Sequence, residues 1–239
     1  MKTWAGVLAL MMLSACMNPR PTQNTLPKVF YPASAGHAAD TLLIMLPGIH
    51  DGVQDFKLNG LVDLVRAQQP HWDMVAVDAH FGYYRERSII DRLREDVVLP
   101  ARANGYRHIW LSGPSLGGFG GLLYACRQTE DHIDGIIAIA PYLGERPIIK
   151  DIERAGGPAD WQASDAGENI ERELWTCLRD GIKAEVWLGW GTEDRMGRGN
   201  RLLAESLPPE HIFMLPGSHR WDGWIELWAD ILPVIGNSD

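Results

Sequence analysis

The stretch that decides the fold runs from His108 to Gly118 and reads HIWLSGPSLGG. Its first half is an apolar run that favours a β-strand, and its second half places Ser115 in the pattern Gly-x-Ser-x-Gly. The segment 119–127 then predicts a helix. A serine at such a strand-to-helix turn adopts a strained backbone conformation, and Gly113 and Gly117 remove the Cβ atoms that would clash there. The pattern therefore predicts a sharp turn that exposes the Ser115 hydroxyl.

Length and composition predict one globular domain. The 239 residues are 46% hydrophobic and 22% charged, which is ordinary for a protein with a large core. The formal charge of -9 argues against a nucleic-acid partner, because binding phosphates requires clustered Lys and Arg. The sequence contains neither metal-ligand spacing nor a phosphate-binding glycine loop, so it predicts no metal and no cofactor.

The N-terminus has the pattern of a targeting segment. Lys2 is followed by an apolar run over 4–13, which is too short to span a bilayer as a stable helix. The run ends in Leu-Ser-Ala-Cys at 13–16, which resembles the lipobox of bacterial lipoprotein signal peptides. By that resemblance, residues 1–15 are removed, Cys16 is lipidated, and 16–28 tether a domain over 29–239 to the envelope. Met17 instead of Asp after Cys16 implies the outer membrane, facing the periplasm; the alternative is a plain secretory signal.

The rest of the chain alternates buried-type strands with amphipathic helices. Apolar runs predict an edge strand at 29–31, the strand before Ser115, and buried strands at 41–46, 73–78, 134–140, 184–191 and 211–215. Helical spacing predicts helices at 58–69, 88–104, 119–127, 201–206 and 221–232, and a loop over 79–87. This alternation indicates an α/β fold with a mostly parallel sheet flanked by helices, in which ligands bind beyond the carboxyl ends of the strands.

Two features leave the pattern open. Residues 145–181 break the alternation, and they predict either a small cap over the site or a crossover helix with a longer loop. Cys126 and Cys177 could form a disulfide in an oxidising compartment, but one distant pair is weak evidence. We expect two small, buried, unbonded residues there.

The arrangement resembles the α/β-hydrolase fold over 41–232. That superfamily, which includes serine esterases and lipases, uses a serine nucleophile, an acid and a histidine in that chain order. Here Ser115 lies at the turn, Asp194 follows the next-to-last strand, and His219 follows the last one. The resemblance implies that His219 removes the Ser115 proton and that Asp194 holds the imidazole in the correct tautomer.

The resemblance also implies an oxyanion hole. One N–H would come from Leu116, the residue after the nucleophile. The other would come from the loop after the earlier strand, where Pro47-Gly48-Ile49 stands in place of the commoner His-Gly-x. We expect Ile49 to be this donor, with His50 as the alternative.

Each role has competitors in the sequence. Among the eight histidines, His50 and His80 also follow strands and are candidate substrate contacts. Glu193 and Asp222 are the alternative acids, because they lie close to Asp194 and His219 in the chain. Other side chains near strand ends, which could contact substrate or simply pack or face solvent, are Tyr83, Tyr84, Arg85, Arg87, Trp221 and Trp224.

The residues thus predict a serine hydrolase that cleaves a carboxylic ester or thioester of a small molecule or a lipid. Two alternatives remain at this point: a peptidase or acyltransferase with the same triad, and a non-catalytic hydrolase-like envelope lipoprotein. A buried site closed by 145–181 would favour the last one.

Overall fold

A computed structural model describes residues 20–34, 39–163 and 169–235 of the chain. The predicted signal peptide and lipidation site, including Cys16, lie outside the described residues. Among the residues within these ranges, no helix is long and apolar enough to cross a membrane.

Seven strands form one sheet in the order β1-β3-β2-β4-β5-β6-β7. Strand β1 is antiparallel to β3, and every other neighbouring pair is parallel. This confirms the α/β fold class with a mostly parallel sheet and an edge strand near residue 29. The strands are β1 (Lys28–Tyr31), β2 (Thr41–Met45), β3 (Trp72–Val77), β4 (His108–Pro114), β5 (Gly135–Ile139), β6 (Glu185–Gly191) and β7 (Ile212–Leu215).

Ten α-helices connect and flank these strands in the described ranges. They are α1 (Asp55–Leu58), α2 (Leu61–Gln68), α3 (Phe81–Arg85), α4 (Ile89–Leu93), α5 (Leu99–Ala103), α6 (Leu116–Arg127), α7 (Arg146–Ala155), α8 (Ile170–Asp180), α9 (Gly197–Ala204) and α10 (Trp221–Ile231). Short 3₁₀ turns cover Thr129–Asp131 and Pro209–His211. Strands β2 and β5 are buried along their whole length, which explains their uninterrupted apolar runs.

The structure corrects two helix predictions. The helix expected at 58–69 begins only at Leu61 as α2, because Gly60, with a left-handed φ of 87°, separates it from α1, which ends at Leu58. The helix expected at 88–104 contains a π-helical turn at Arg94–Val98 between α4 and α5. Pro100 has no N–H for the carbonyl of Asp96, and that carbonyl accepts a hydrogen bond from the Lys28 ammonium at 2.8 Å instead.

The loop expected at 79–87 contains a helix. His80 begins α3 by accepting a hydrogen bond from the Gly82 N–H at 3.1 Å through Nδ1. Tyr83 and Tyr84 are buried within this short helix, while Arg85 is exposed. The prediction of a loop over 79–87 is therefore wrong for Phe81–Arg85.

The expectation of unbonded cysteines is also wrong. Cys126 at the end of α6 and Cys177 in α8 form a disulfide with a Cα–Cα distance of 6.0 Å. The two helices are also joined by a bidentate ion pair in which Arg127 donates to Glu173 at 2.6 and 2.7 Å. Packing of α8 onto α6 brings the two thiols together across 51 residues, a distance that spacing in the chain does not show.

The segment 145–181 contains α7 and α8. Helix α8 packs against α6, to which the disulfide joins it, and is the crossover helix between β5 and β6. Glu145 before α7 and the first turn of α8 border the cavity beside Ser115. The segment thus forms a crossover helix that also supplies one wall of the candidate site.

Candidate active site

Ser115 lies at a strained turn between β4 and α6. Its backbone has φ 53° and ψ -114°, a conformation that costs a non-glycine residue about 1–3 kcal/mol. The surrounding structure holds it there, since its N–H donates to Ile139 O at 2.9 Å and its carbonyl accepts from the Tyr142 N–H at 3.0 Å. The end of β5 therefore fixes the turn from outside the Gly-x-Ser-x-Gly pattern.

The two glycines of the pattern make room for a close backbone approach. A Cβ on Gly117 would lie 1.9 Å from Leu46 O, and one on Gly113 would lie 2.3 Å from the same atom. Real Cβ atoms never come this close to a carbonyl oxygen, so a larger residue would push the turn away from the end of β2. Both glycines are needed sterically, as the sequence predicts.

Asp194 and His219 meet above the carboxyl ends of β6 and β7. His219 Nδ1 lies 2.8 Å from one carboxylate oxygen of Asp194 and 3.0 Å from the other. The Asp194 side chain is fully buried, and its Oδ1 also accepts the Met196 N–H at 2.7 Å. The hydrogen bond from the Met196 N–H thus fixes the rotation of the carboxylate that contacts the imidazole.

The second ring nitrogen of His219, Nε2, takes no part in the contact with Asp194. His219 Nε2 is buried and has no hydrogen-bond partner among the described residues. Trp224 packs edge-on against the imidazole, with ring centroids 4.9 Å apart at 87°. Both His219 and Ser115 line a cavity of about 470 Å³.

The alternative acids do not contact His219. The Glu193 side chain is exposed, and Asp222 is exposed and accepts the N–H of Gly223 at 3.0 Å. Of the two other histidines, His50 is exposed and lines the cavity, whereas His80 is buried at the start of α3 and lines neither cavity beside Ser115. Desolvation by burial lowers the pKa of His80.

The predicted oxyanion donor Leu116 and the two alternatives for the second donor, Ile49 and His50, all line a cavity beside Ser115. Leu116 is the first residue of α6, so its N–H has no acceptor within the helix. Ile49 and His50 form the tip of a turn closed by the Asp51 N–H, which donates to Gly48 O at 3.1 Å. Ile49 and His50 both line the cavity next to Ser115. All three residues thus lie at the candidate site, and their positions do not distinguish Ile49 from His50 as the second donor.

One contact that the sequence did not reveal holds this turn in place. Trp221 Nε1 donates to Asp51 Oδ1 at 3.0 Å, and the same carboxylate packs over Gly48. Because Trp221 begins α10 directly after the His219 loop, this bond joins the turn to the histidine side of the site. The partners are 170 residues apart, so only the fold could reveal them.

A second, larger cavity of about 690 Å³ extends from Ser115 toward α3 and α8. Tyr84 in its wall donates to Leu116 O at 3.2 Å, and burial raises the pKa of its hydroxyl well above the usual range, so it stays a neutral donor. The lining of this cavity includes apolar or aromatic side chains (Phe81, Tyr84, Phe119, Tyr142, Met196), three cationic ones (Arg85, Arg87, Arg195) and two acidic ones (Glu145, Glu171). The exposed side chains of His50 and Arg195 line both cavities, so within the described residues the site is open to the surface.

No cluster of three or more His, Cys, Asp or Glu suited to a metal occurs in the parts of the chain that the structure covers.

Comparisons with known proteins give no sequence match. No protein-family model matches this chain, and no curated protein sequence is significantly similar to it. The shared features are therefore those of three-dimensional structure.

Solved structures share the fold at low identity. Est1E from Butyrivibrio proteoclasticus superposes with a TM-score of 0.63 at 15% identity, covering 87% of this chain and 91% of that one. An S-formylglutathione hydrolase from Staphylococcus aureus gives 0.57 at 12% identity, covering 90% and 97%. A monoacylglycerol lipase from Paleococcus ferrophilus gives 0.53 at 16% identity, covering 87% and 98%. Together with the sheet order and the strand-end position of the site, these likenesses show that the chain has the α/β-hydrolase fold.

Proposed function

We propose that this protein is a serine hydrolase that cleaves a carboxylic ester or thioester, with Ser115, His219 and Asp194 as its triad. The observation that carries the proposal is the buried Asp194–His219 pair, whose histidine has an unpartnered Nε2 and lines the same cavity as the strained Ser115. A buried nitrogen without a partner costs free energy, and such groups persist where the site has a use for them. Taking the Ser115 proton during catalysis is such a use.

The reaction follows from these positions. Ser115 Oγ attacks the carbonyl carbon while its proton passes to His219 Nε2, and the imidazolium that forms is stabilised by Asp194. The N–H groups of Leu116 and Ile49 bind the oxyanion, each contributing about 3 kcal/mol to the transition state. The imidazolium then protonates the leaving alcohol or thiol. Water attacks the acyl-enzyme by the same route, releases the acid and restores Ser115.

The cavities support an ester or thioester substrate. The larger one is lined by aromatic rings and suits an apolar or aromatic group, and its arginines suit a polar or anionic substituent. Structural neighbours that carry the names ferulic acid esterase, S-formylglutathione hydrolase and monoacylglycerol lipase support a hydrolase. No described contact favours a peptidase or acyltransferase over these.

A fluorophosphonate probe tests the nucleophile. We expect it to label the wild-type protein, to fail on Ser115→Ala, and to label Ser206→Ala, an exposed serine outside the site, as strongly as the wild type. A folded wild-type protein that resists the probe would refute the hydrolase.

We also propose that Cys16 is lipidated after removal of residues 1–15, and that the protein lies at the outer membrane facing the periplasm. The Cys126–Cys177 disulfide supports an oxidising compartment. Palmitate labelling should disappear in Cys16→Ser, and labelling that persisted would contradict the anchor.

A further inference from the structure

The chain enters the domain at the same end of the sheet as the candidate active site. Because β1 runs antiparallel to β3, Lys28 pairs with Val77 at the carboxyl end of β3. The Asp78 N–H continues the ladder by donating to Pro27 O at 2.7 Å. The chain directly before Lys28 therefore lies at the carboxyl end of the parallel strands, which is the end of the sheet where Ser115 lies.

The segment from Arg20 to Leu26 is held against this end. Arg20 makes two hydrogen bonds to the Asp78 carboxylate, at 2.9 and 3.1 Å, and the Gln23 N–H donates to Tyr83 Oη at 3.1 Å. Leu26 is only 1% exposed. These contacts fix Arg20 as the point where a tether would leave the domain.

That point lies beside α3. A Cβ on Gly82 would lie 2.5 Å from Arg20 O, so the Arg20 carbonyl packs directly on this helix. Phe81, which is 37% exposed, and the exposed Arg85 lie in α3, and the exposed Arg87 follows two residues after its end; all three line the larger cavity. We call Phe81, Arg85 and Arg87 the α3 face.

The reach of the anchor is short compared with the domain. Three residues, 17–19, separate Cys16 from Arg20, and the four residue-to-residue steps span at most about 14 Å when fully extended. A domain of this length has a radius of gyration of about 18 Å and is therefore about 45 Å across. A lipid on Cys16 can therefore hold only the side of the domain near α3 at a bilayer.

We propose that the α3 face docks onto the phospholipid leaflet that holds the Cys16 lipid. Phe81 enters the interface and Arg85 and Arg87 contact lipid phosphates, as basic and aromatic side chains do at membrane surfaces. The chain carries a formal charge of -9, so its acidic surfaces are repelled by an anionic leaflet and the arginine-bearing face is turned toward it. The proposal rests on the lipid anchor proposed above.

Docking also deepens the proposed hydrolase. The larger cavity, which is lined by the α3 face and reaches Ser115, opens toward the leaflet in this orientation. An ester carried by a membrane lipid then enters the site directly from the bilayer.

The orientation is tested with the full-length lipidated protein on vesicles of phosphatidylethanolamine and phosphatidylglycerol that contain brominated lipid. A fluorophore is attached at Phe81→Cys, at Arg85→Cys as a second position on the same face, and at Met214→Cys as the control. Met214 is 59% exposed and lies on β7, at the opposite edge of the sheet from β1. We expect quenching at least about fivefold stronger at positions 81 and 85 than at 214, because an interfacial face is buried about 5–10 Å into the boundary between headgroups and acyl chains.

Equal quenching at all three positions, or stronger quenching at 214, would overturn the docking. Protein that fails to float with the vesicles would overturn it as well, by removing the anchor. The same labels in a Ser115→Ala background should give the same quenching, since orientation does not depend on turnover. A protein that docks as expected but resists the fluorophosphonate probe would refute the hydrolase alone.

Discussion

Replacing Asp194 by Asn should abolish most activity while leaving the fold intact. Asp194 Oδ1 accepts the Met196 N–H at 2.7 Å, so the Asn oxygen must take that position. The amide NH₂ then occupies the place of Oδ2, 2.8 Å from His219 Nδ1, and donates to it. Nδ1 becomes the acceptor and the ring proton moves to Nε2, which can no longer take the proton of Ser115.

The expected loss is about 10⁴-fold in kcat, or about 5 kcal/mol of transition-state stabilisation, with little change in KM. Hydrolysis of a short-chain p-nitrophenyl ester measures it, and the denaturation midpoint checks the fold. Glu193→Gln, an isosteric change at the adjacent exposed acid, is the matched control and should keep the wild-type rate. Asp194→Asn with more than a tenth of wild-type activity would refute the assignment of the acid, and so would a comparable loss in Glu193→Gln.

Two further predictions concern stability. Replacing Cys126 and Cys177 by Ser opens a 51-residue loop and should lower the free energy of unfolding, measured by guanidinium titration, by about 4 kcal/mol. The wild-type protein with reductant should be as stable as the variant. A change below about 1 kcal/mol in the free energy of unfolding would contradict the cross-link. Gly117→Ala forces a Cβ to 1.9 Å from Leu46 O. It should lower the free energy of unfolding by at least about 2 kcal/mol and remove most of the fluorophosphonate labelling. Gly121→Ala in the same helix meets only side chains, at 3.3 Å and beyond, and should lower the free energy of unfolding by less than about 1 kcal/mol. Equal costs for the two glycines would show that the turn tolerates a displaced backbone.

The predictions of buried strands and of the glycine turn, which depend on short-range pattern, were confirmed. The apolar runs at β2 and β5 identified buried parallel strands, because a strand covered on both faces has no polar positions. Gly113 and Gly117 predicted the close approach at the turn, since only glycine allows it. Helical spacing alone did not reveal the break at Gly60 or the π-helical turn before Pro100.

The sequence by itself determined the α/β fold and the order of Ser115, Asp194 and His219 after their strands, because strand periodicity and chain order are local properties. The tertiary structure decided which acid contacts His219, since Asp194 and Glu193 are adjacent in the chain, and Asp194 is buried against His219 whereas Glu193 faces solvent. It also decided the Trp221–Asp51 bond and the Cys126–Cys177 disulfide, whose partners are 170 and 51 residues apart. Such pairs leave no periodic trace, because packing of separate elements, and not spacing along the chain, brings them into contact.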